Sequence, residues 1–330
     1  MDCDPLLHVR DLNVWLPAAR RGPRVHVVRD VTLTVGRGER LGIVGESGCG
    51  KSTTLLSLVG LLPSRAQLSG SIRLEGVDIL GGSARGGQDL DTARGRDIGV
   101  VLQSSMNTLN PVYRVERQLR EVIPPEERAD PRRARVRIRE LLDRVGLPAR
   151  VARSYPHELS GGMRQRVAIA MALAPEPKLL LADEPTTALD TIVQARIMEL
   201  LDSLCADDQL SVILVSHHLS LAAQFCDRLM VMYAGRIAEQ AAATRVTAHP
   251  SHPYTRLLLG ATADLGTRKE DVVSIPGAPP SLALAHTQCP FGPRCPERFS
   301  RCADGVPTLE EVAIAHRVAC FARLQGSESA

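Results

Sequence analysis

Short apolar runs of strand length alternate along this chain with segments of helical periodicity. Leu41-Gly42-Ile43-Val44, Ile98 to Leu102, Leu179 to Ala182 and Val212 to Val215 are apolar throughout, which fits strands buried on both faces. Leu6 to Leu12 and Val25 to Val35 surround the polar, Arg- and Pro-bearing stretch Pro17 to Arg24 and read as edge strands. Helices are predicted over Lys51 to Leu61, over Ile192 to Leu204, and from Ser160, a good N-cap, to about Ala172, ahead of Pro175 and Pro177. From Val115 to Val145 the texture becomes polar-apolar at helical spacing. Pro124-Pro125 separates two helices there, and Ile138, Leu141, Leu142 and Val145 mark the apolar face of the second. Leu229 to Tyr233 and Arg236 to Glu239 flank Ala234-Gly235 like a hairpin that closes the domain. This alternation predicts an α/β fold, a mostly parallel sheet with helices on both faces.

After Gln240 the pattern changes. His249-Pro250-Ser251-His252-Pro253-Tyr254 and Pro276-Gly277-Ala278-Pro279-Pro280 are turn-rich, so a domain boundary is placed near residue 243. With 330 residues the chain can bury a large core and carry a smaller appendage. Forty Lys+Arg against 37 Asp+Glu leave a formal charge of only +3, with the basic residues scattered, and this does not point to nucleic acid. No run approaches the eighteen or so apolar residues of a membrane span. The acidic start, Met1-Asp2-Cys3-Asp4-Pro5, lacks the features of a secretory signal, so a cytosolic setting with reduced cysteines is expected.

Chemistry enters at Gly45-Glu46-Ser47-Gly48-Cys49-Gly50-Lys51-Ser52-Thr53, which follows a predicted core strand and opens a helix. In that context a G-x-x-x-x-G-K-S run turns backbone N–H groups toward phosphate oxygens; Lys51 reaches the β and γ phosphates, Ser52 supplies an oxygen to Mg²⁺, and Thr53 adds a hydroxyl nearby. Asp183 and Glu184 stand just past another core strand. Asp183 suits the Mg²⁺ shell, and Glu184 can take the proton from an attacking water. Gln103, at a further strand end, carries an amide able to touch both water and metal-bound oxygen. His217 can hold the γ phosphate and the attacking water, although His218 beside it competes for that role. Ser160-Gly161-Gly162 at a helix start lets backbone approach an anion, or forms a plain helix cap. Since one triphosphate needs only one such cradle, the second suits a partner's nucleotide.

In this order, Gly45 to Thr53, Gln103, Leu159 to Gln165, Asp183-Glu184 and His217 resemble the ATPase subunits of ABC transporters, and Ala188-Leu189-Asp190 matches their dimer-contact loop. The resemblance implies a P-loop NTPase of the ABC ATPase type over residues 1–242, with a helical subdomain over about 104–172 and a small cysteine-containing extension over 243–330. It implies ATP and Mg²⁺ as ligands, Ser52, Gln103 and Asp183 around the metal, and catalytic Glu184, His217 and Gln103. Ser160, Gly161, Gly162, Gln165 and Asp190 would face the nucleotide of a second, non-identical ATPase subunit. Such ATPases stack adenine on an aromatic near the first strands; distance from Asp30-Val31-Thr32-Leu33 puts His26 there, with Trp15 as the alternative.

Within the family, Gly45-Glu46-Ser47-Gly48, Thr108-Leu109-Asn110-Pro111, Pro156-His157-Glu158, His252-Pro253-Tyr254 and Ile275 to Pro280 look like the oligopeptide/dipeptide importer ATPases. That likeness implies two transmembrane permease subunits, an extracytoplasmic solute-binding protein, and a peripheral place on the cytoplasmic face of the membrane. An importer of nickel or another small solute is the alternative, and a soluble non-transport ABC protein a more distant one. Gln103-Ser104-Ser105-Met106 departs from the family's Gln-Asp-Pro-Met, and His218 replaces an aspartate; neither change removes a phosphate-contacting group.

Cys289, Cys295, Cys302 and Cys320 gather in the last 42 residues, with Pro290, Pro293 and Pro296 stiffening the first loops. Four thiolates in a sparsely apolar segment can bind a soft metal centre, and spacing alone leaves zinc, an iron-sulfur cluster and unligated cysteines open. Related dipeptide importer ATPases carry a [4Fe-4S] cluster in this tail, and the resemblance implies one here.

Overall fold

The structure, a computed structural model, describes residues 4–18, 22–80, 90–103, 108–187, 189–261 and 275–324. Its strands are β1 (Leu7–Leu16), β2 (Val25–Val35), β3 (Arg40–Val44), β4 (Gln67–Leu74), β5 (Val77–Asp78), β6 (Ile98–Val101), β7 (Leu179–Asp183), β8 (Ser211–Ser216), β9 (Arg228–Tyr233), β10 (Arg236–Ala242), β11 (Glu310–Ala313) and β12 (His316–Val318). The chain forms two compact units. The first takes in residues up to Val35, Arg40–Leu80 and everything from Leu214; the second takes in Gly36–Glu39 and Gly81–Ile213.

In the first unit, β2, β1, β4 and β5 lie side by side in that order as an antiparallel sheet. The strand β1 is paired on both sides, so it is an interior strand and not the expected edge. Its second neighbour was invisible to the pattern because Gln67-Leu68-Ser69-Gly70 is polar and carries a glycine. That glycine has a reason: a Cβ on Gly70 would lie 2.6 Å from the carbonyl oxygens of Arg10 and Asp11, where β1 bulges. The other strands of this unit run β11-β12-β10-β9-β3. Of these, β3 and β9 pair in parallel, their buried apolar faces matching the expectation of core strands.

The hairpin of β9 and β10 turns on Ala234 and Gly235, both with positive φ (50° and 81°), which gives the two-residue turn whose twist suits antiparallel strands. It does not close the domain. Beyond it, β12 pairs with β10 through Glu239↔Val318 and Gln240↔Arg317, and β11 adds a further strand. The C-terminal segment is therefore part of the first unit's sheet.

In the second unit, β6 and β7 pair in parallel, from Ile98↔Leu179 to Val101↔Ala182. The helical region has one more segment than predicted: Val115–Val122, Pro125–Arg128 and Pro131–Arg144. Asp130 caps the last of these by accepting from the Arg132 N–H, and Pro131 occupies its first turn, as helix starts prefer. Its buried side, Ala134, Ile138, Leu141 and Leu142, is the predicted apolar face. The helix Gly161–Leu173 begins where Ser160 Oγ accepts from the Met163 N–H at 3.3 Å, and the helix Thr191–Asp208 where Asp190 accepts from Val193 at 3.0 Å. Among the described residues no helix is long and apolar enough to cross a membrane.

Candidate functional site

The fully apolar end of β3 delivers the chain into the glycine-rich loop, and the helix Lys51–Ser57 leaves it. The loop lies against other backbone: a Cβ on Gly45 would sit 2.3 Å from the Met232 carbonyl oxygen, so no larger residue fits there. Gly48 (φ 79°) and Gly50 (φ 106°) bend the chain through left-handed conformations, and nothing lies within 4 Å of the Cβ position of Gly48. Backbone bent in this way can turn successive N–H groups toward a phosphate. Lys51 is buried, and its ammonium is held inside the loop by the carbonyls of Gly45 (2.7 Å) and Glu46 (2.9 Å). Ser52 and Thr53 are half-buried at the helix start, Ser47 is exposed, and Cys49 is buried, which pushes its thiol pKa up.

His26 and Trp15 are cross-strand neighbours on β2 and β1. Their rings stack at 4.4 Å with 17° between planes, so the two alternatives for an adenine contact form one platform. The imidazole of His26 also bonds to Asn13 Oδ1 at 2.9 Å. His217 follows β8, exposed, its ring centroid 3.9 Å from that of His218.

Glu46 is where sequence reasoning missed a contact. Its backbone N–H donates to the Tyr254 hydroxyl at 2.8 Å, and its carboxylate receives both terminal nitrogens of Arg294, at 2.7 and 2.9 Å. Arg294 also donates to the Tyr233 hydroxyl (3.2 Å) and, through Nε, to the Pro276 carbonyl (2.7 Å). The paired carboxylate raises the Arg294 pKa, and burial raises that of Tyr254. Nothing in the run Pro293-Arg294-Cys295 marks this arginine in sequence; only the aromatic Tyr254, in a chain with one Trp, four Tyr and four Phe, stands out.

In the second unit, Asp183 ends β7 almost fully buried, and Glu184 follows with φ 46°. A left-handed glutamate is strained, and such strain gathers at functional sites. The Glu184 carboxylate accepts from Gln103 Nε2 at 3.0 Å and from Thr187 Oγ1 at 2.8 Å, so two of the predicted catalytic groups are brought together and Thr187 joins them unannounced. Gly161 and Gly162 open their helix, and Gln165 is buried one turn on. For Gly162 the structure supplies a packing reason: a Cβ there would lie 2.6 Å from Val193 Cγ1 in the helix Thr191–Asp208. Asp190 is exposed and acts as that helix's cap. Ala188, and Ser104 to Met106, lie outside the described residues.

The tail cysteines are drawn together by turns. The Cys289 N–H donates to the Cys302 carbonyl (3.1 Å), Gly292 to Cys289, and Cys295 to Gly292. Burial pushes Cys289 and Cys295 up to about 11 and also raises Cys320; in each case a neighbouring cysteine of the set adds to the effect. Among the described residues no three His, Cys, Asp or Glu side chains converge on a point fit for a single metal ion.

Residues 28–187 match the model of the ABC transporter family, and residues 238–302 match the oligopeptide/dipeptide transporter C-terminal region. The oligopeptide transport ATP-binding protein OppD of Salmonella typhimurium is 43% identical over 96% of this chain and 93% of its own length. The chain belongs to the ABC transporter ATPases, in the branch with the oligopeptide/dipeptide C-terminal region. OppD of Mycobacterium bovis is 45% identical over 96% of the chain, which spans about half of that relative's length (52%). Among solved structures, the ATP-binding cassette MJ0796, dimeric in a post-hydrolysis state with ADP and Pi, superposes with a TM-score of 0.59 at 28% identity, over 72% of this ABC ATPase and 98% of that chain. The match to the C-terminal region covers both Tyr254 and Arg294, the two residues that grip Glu46.

Proposed function

We propose that the chain is the ATP-hydrolysing subunit of an importer of di- or oligopeptides, seated peripherally on the cytoplasmic face of a membrane. The observation that carries this reading is the joining, in one chain, of an ABC cassette that keeps both Lys51 and Glu184 to the oligopeptide/dipeptide C-terminal region. Residues 1–242 are the nucleotide-binding domain and 243–330 the extension. The loop from Gly45 to Thr53 grips the triphosphate, with Lys51 neutralising the β and γ groups. Ser52, Gln103 and Asp183 would hold Mg²⁺, which when bound offsets charge on the phosphates. Glu184 takes the proton of the attacking water, Gln103 orients it, and His217 bonds the γ phosphate. His26, stacked on Trp15, offers the base a platform.

Ser160, Gly161, Gly162, Gln165 and Asp190 serve the nucleotide of a second, non-identical ATPase subunit, and closure of the pair on two ATPs drives two permease subunits fed by a solute-binding protein. The dimeric state of the MJ0796 cassette supports the pairing. In the tail, Cys289, Cys295, Cys302 and Cys320 would hold a [4Fe-4S] cluster, the reading that the family resemblance supports, with zinc as the alternative. Turn hydrogen bonds draw three of them together in the fold, Cys289 donating to the Cys302 carbonyl and Cys295 to the Gly292 that itself donates to Cys289. Such a cluster, when bound, supplies a cross-link among the tail's turns.

The test is to assemble the chain with its permeases and second ATPase and to measure ATP hydrolysis with receptors loaded with peptide, haem or nickel. Stimulation by the peptide-loaded receptor is expected; stimulation by the nickel-loaded receptor alone would reassign the cargo. Oxygen-free purification should yield iron and labile sulfide in equal amounts, and zinc without sulfide would replace the cluster.

A further inference from the structure

A carboxylate is an odd thing to place in a loop that must receive a triphosphate. Glu46 stands five residues before Lys51, and its own backbone oxygen already touches the Lys51 ammonium at 2.9 Å. An unrestrained Glu46 side chain is a competing anion for that lysine and repels incoming phosphate. The structure removes it from the competition. Arg294 binds the carboxylate with both fork nitrogens, the arrangement in which arginine holds a carboxylate most firmly. The guanidinium side chain is only 6% exposed and the Glu46 side chain 21%, so solvent screens the pair weakly.

The grip is itself held. Arg294 directs two further donors at Tyr233 and Pro276, and its guanidinium carbon lies 5.8 Å from the centre of the Tyr233 ring. Tyr233, Tyr254 and Phe291 pack ring against ring at 4.6 to 5.4 Å beneath it. The fully buried Tyr254 hydroxyl accepts the Glu46 N–H, fixing the backbone of the same residue whose side chain Arg294 holds.

We propose that Arg294 and Tyr254 of the C-terminal extension are positioning residues for ATP: they neutralise Glu46, hold it away from Lys51 and pre-set the phosphate loop for the triphosphate. This rests on the ATPase reading given above. The extension thereby contributes to nucleotide affinity through residues that need not touch the nucleotide, so the effect belongs to binding and leaves the chemical step to Glu184.

The test uses the full chain for MgATP binding by calorimetry, and the assembled transporter for the split between KM and kcat. R294A should weaken MgATP about tenfold, the scale of a lost hydrogen bond to a charged group, and raise KM while kcat at saturation stays within about twofold. R294K keeps a charge but not the fork, and should weaken binding by about threefold. The decisive variant is E46Q in the R294A background. If the harm comes from a freed carboxylate, removing its charge returns affinity to within about threefold of wild type although the buried guanidinium is still missing. A purely structural role for Arg294 predicts no such rescue. Unchanged affinity in R294A, or a double variant no better than R294A, overturns the proposal alone. Should R294A not yield soluble protein, R294K against E46Q/R294K gives the same comparison. A wild-type chain that binds no MgATP overturns the ATPase reading and this proposal with it.

Discussion

At the scale of single residues, what the sequence announced were the groups whose chemistry demands a particular residue type at a fixed spacing. Lys51, Gly45, Asp183 and Glu184 could be named because a phosphate loop tolerates few substitutes. Arg294 and Thr187 could not, because an arginine or threonine in a loop has many uses and only folding shows which. Glu184, held by Gln103 and Thr187, supports a clear expectation. Glu184→Gln keeps the hydrogen bonds' geometry but cannot take a proton, so hydrolysis in a homogeneous assembly should fall about 10²–10⁴-fold while MgATP stays bound. Steady hydrolysis at the wild-type rate would remove Glu184 from the role of base. A second residue makes a pH prediction. Burial pushes His252 down to about 3, and its Nδ1 accepts the Tyr254 N–H at 3.0 Å, an arrangement that needs the neutral ring. Because the folded pKa lies below the unfolded value of about 6.5, this stability is present above pH 6.5 and drains as pH falls toward 3. The unfolded chain takes a proton that the folded one refuses, at a cost of about 1.4 kcal/mol per pH unit. Urea unfolding from pH 6 to 4 should therefore be steeper in pH for wild type than for H252N, and equal slopes would exclude His252 as the source.

At the scale of elements, continuous apolar runs and good caps were readable, and the strands β3, β6, β7 and β8 and the helices after Ser160 and Asp190 lie within a few residues of expectation. The elements that escaped are those whose stability is not local. The strand β4 is polar along half its length and exists because β1 offers it a ladder; β12 has three residues and exists because β10 does. The short helix Leu219–Phe225 begins with the exposed His217-His218 pair and shows no capping residue, which is why no helix was expected there. Packing between elements also gives one motif a second reason for its glycine. Gly162 invites the reading of an anion site, yet Val193 leaves its Cβ no room. In an open helix Gly→Ala is stabilising by up to about 1 kcal/mol. Here G162A should instead destabilise by about 1–3 kcal/mol, the usual cost of overpacking. Shaving Val193 in the double variant G162A/V193A should recover most of that loss. Chemical denaturation of the single and double variants measures it, and a neutral or stabilising G162A would leave the glycine to the nucleotide alone.

For the whole molecule, the sequence suggested a cassette with an appendage, and the structure weaves the appendage into the unit that carries the phosphate loop. Glu239 is the knot. This carboxylate on β10 is fully buried, accepts the N–H groups of Ser251 (2.7 Å) and His252 (2.9 Å), and meets His316 Nε2 on β12 at 2.7 Å. A sequence reader takes Glu239 for the polar end of a hairpin, since nothing local reveals that strands more than seventy residues later will enclose it. Removing such a partner strands the others: two backbone donors and a buried imidazole would lose their acceptor. E239A should cost about 3–5 kcal/mol, and because Tyr254 follows directly on the turn whose N–H groups Glu239 accepts, MgATP affinity should fall in step with stability. E46Q/R294A, in contrast, should keep its affinity within about threefold of wild type while its Tm falls, because the buried fork is still missing. Plotting Kd against Tm for the two variants separates fold from function: E239A displaced along both axes and E46Q/R294A along the Tm axis alone is the expected picture. If E239A melts like wild type, Glu239 does not bind the extension to the cassette, and the route from the tail to the phosphate loop must run through Arg294 without it.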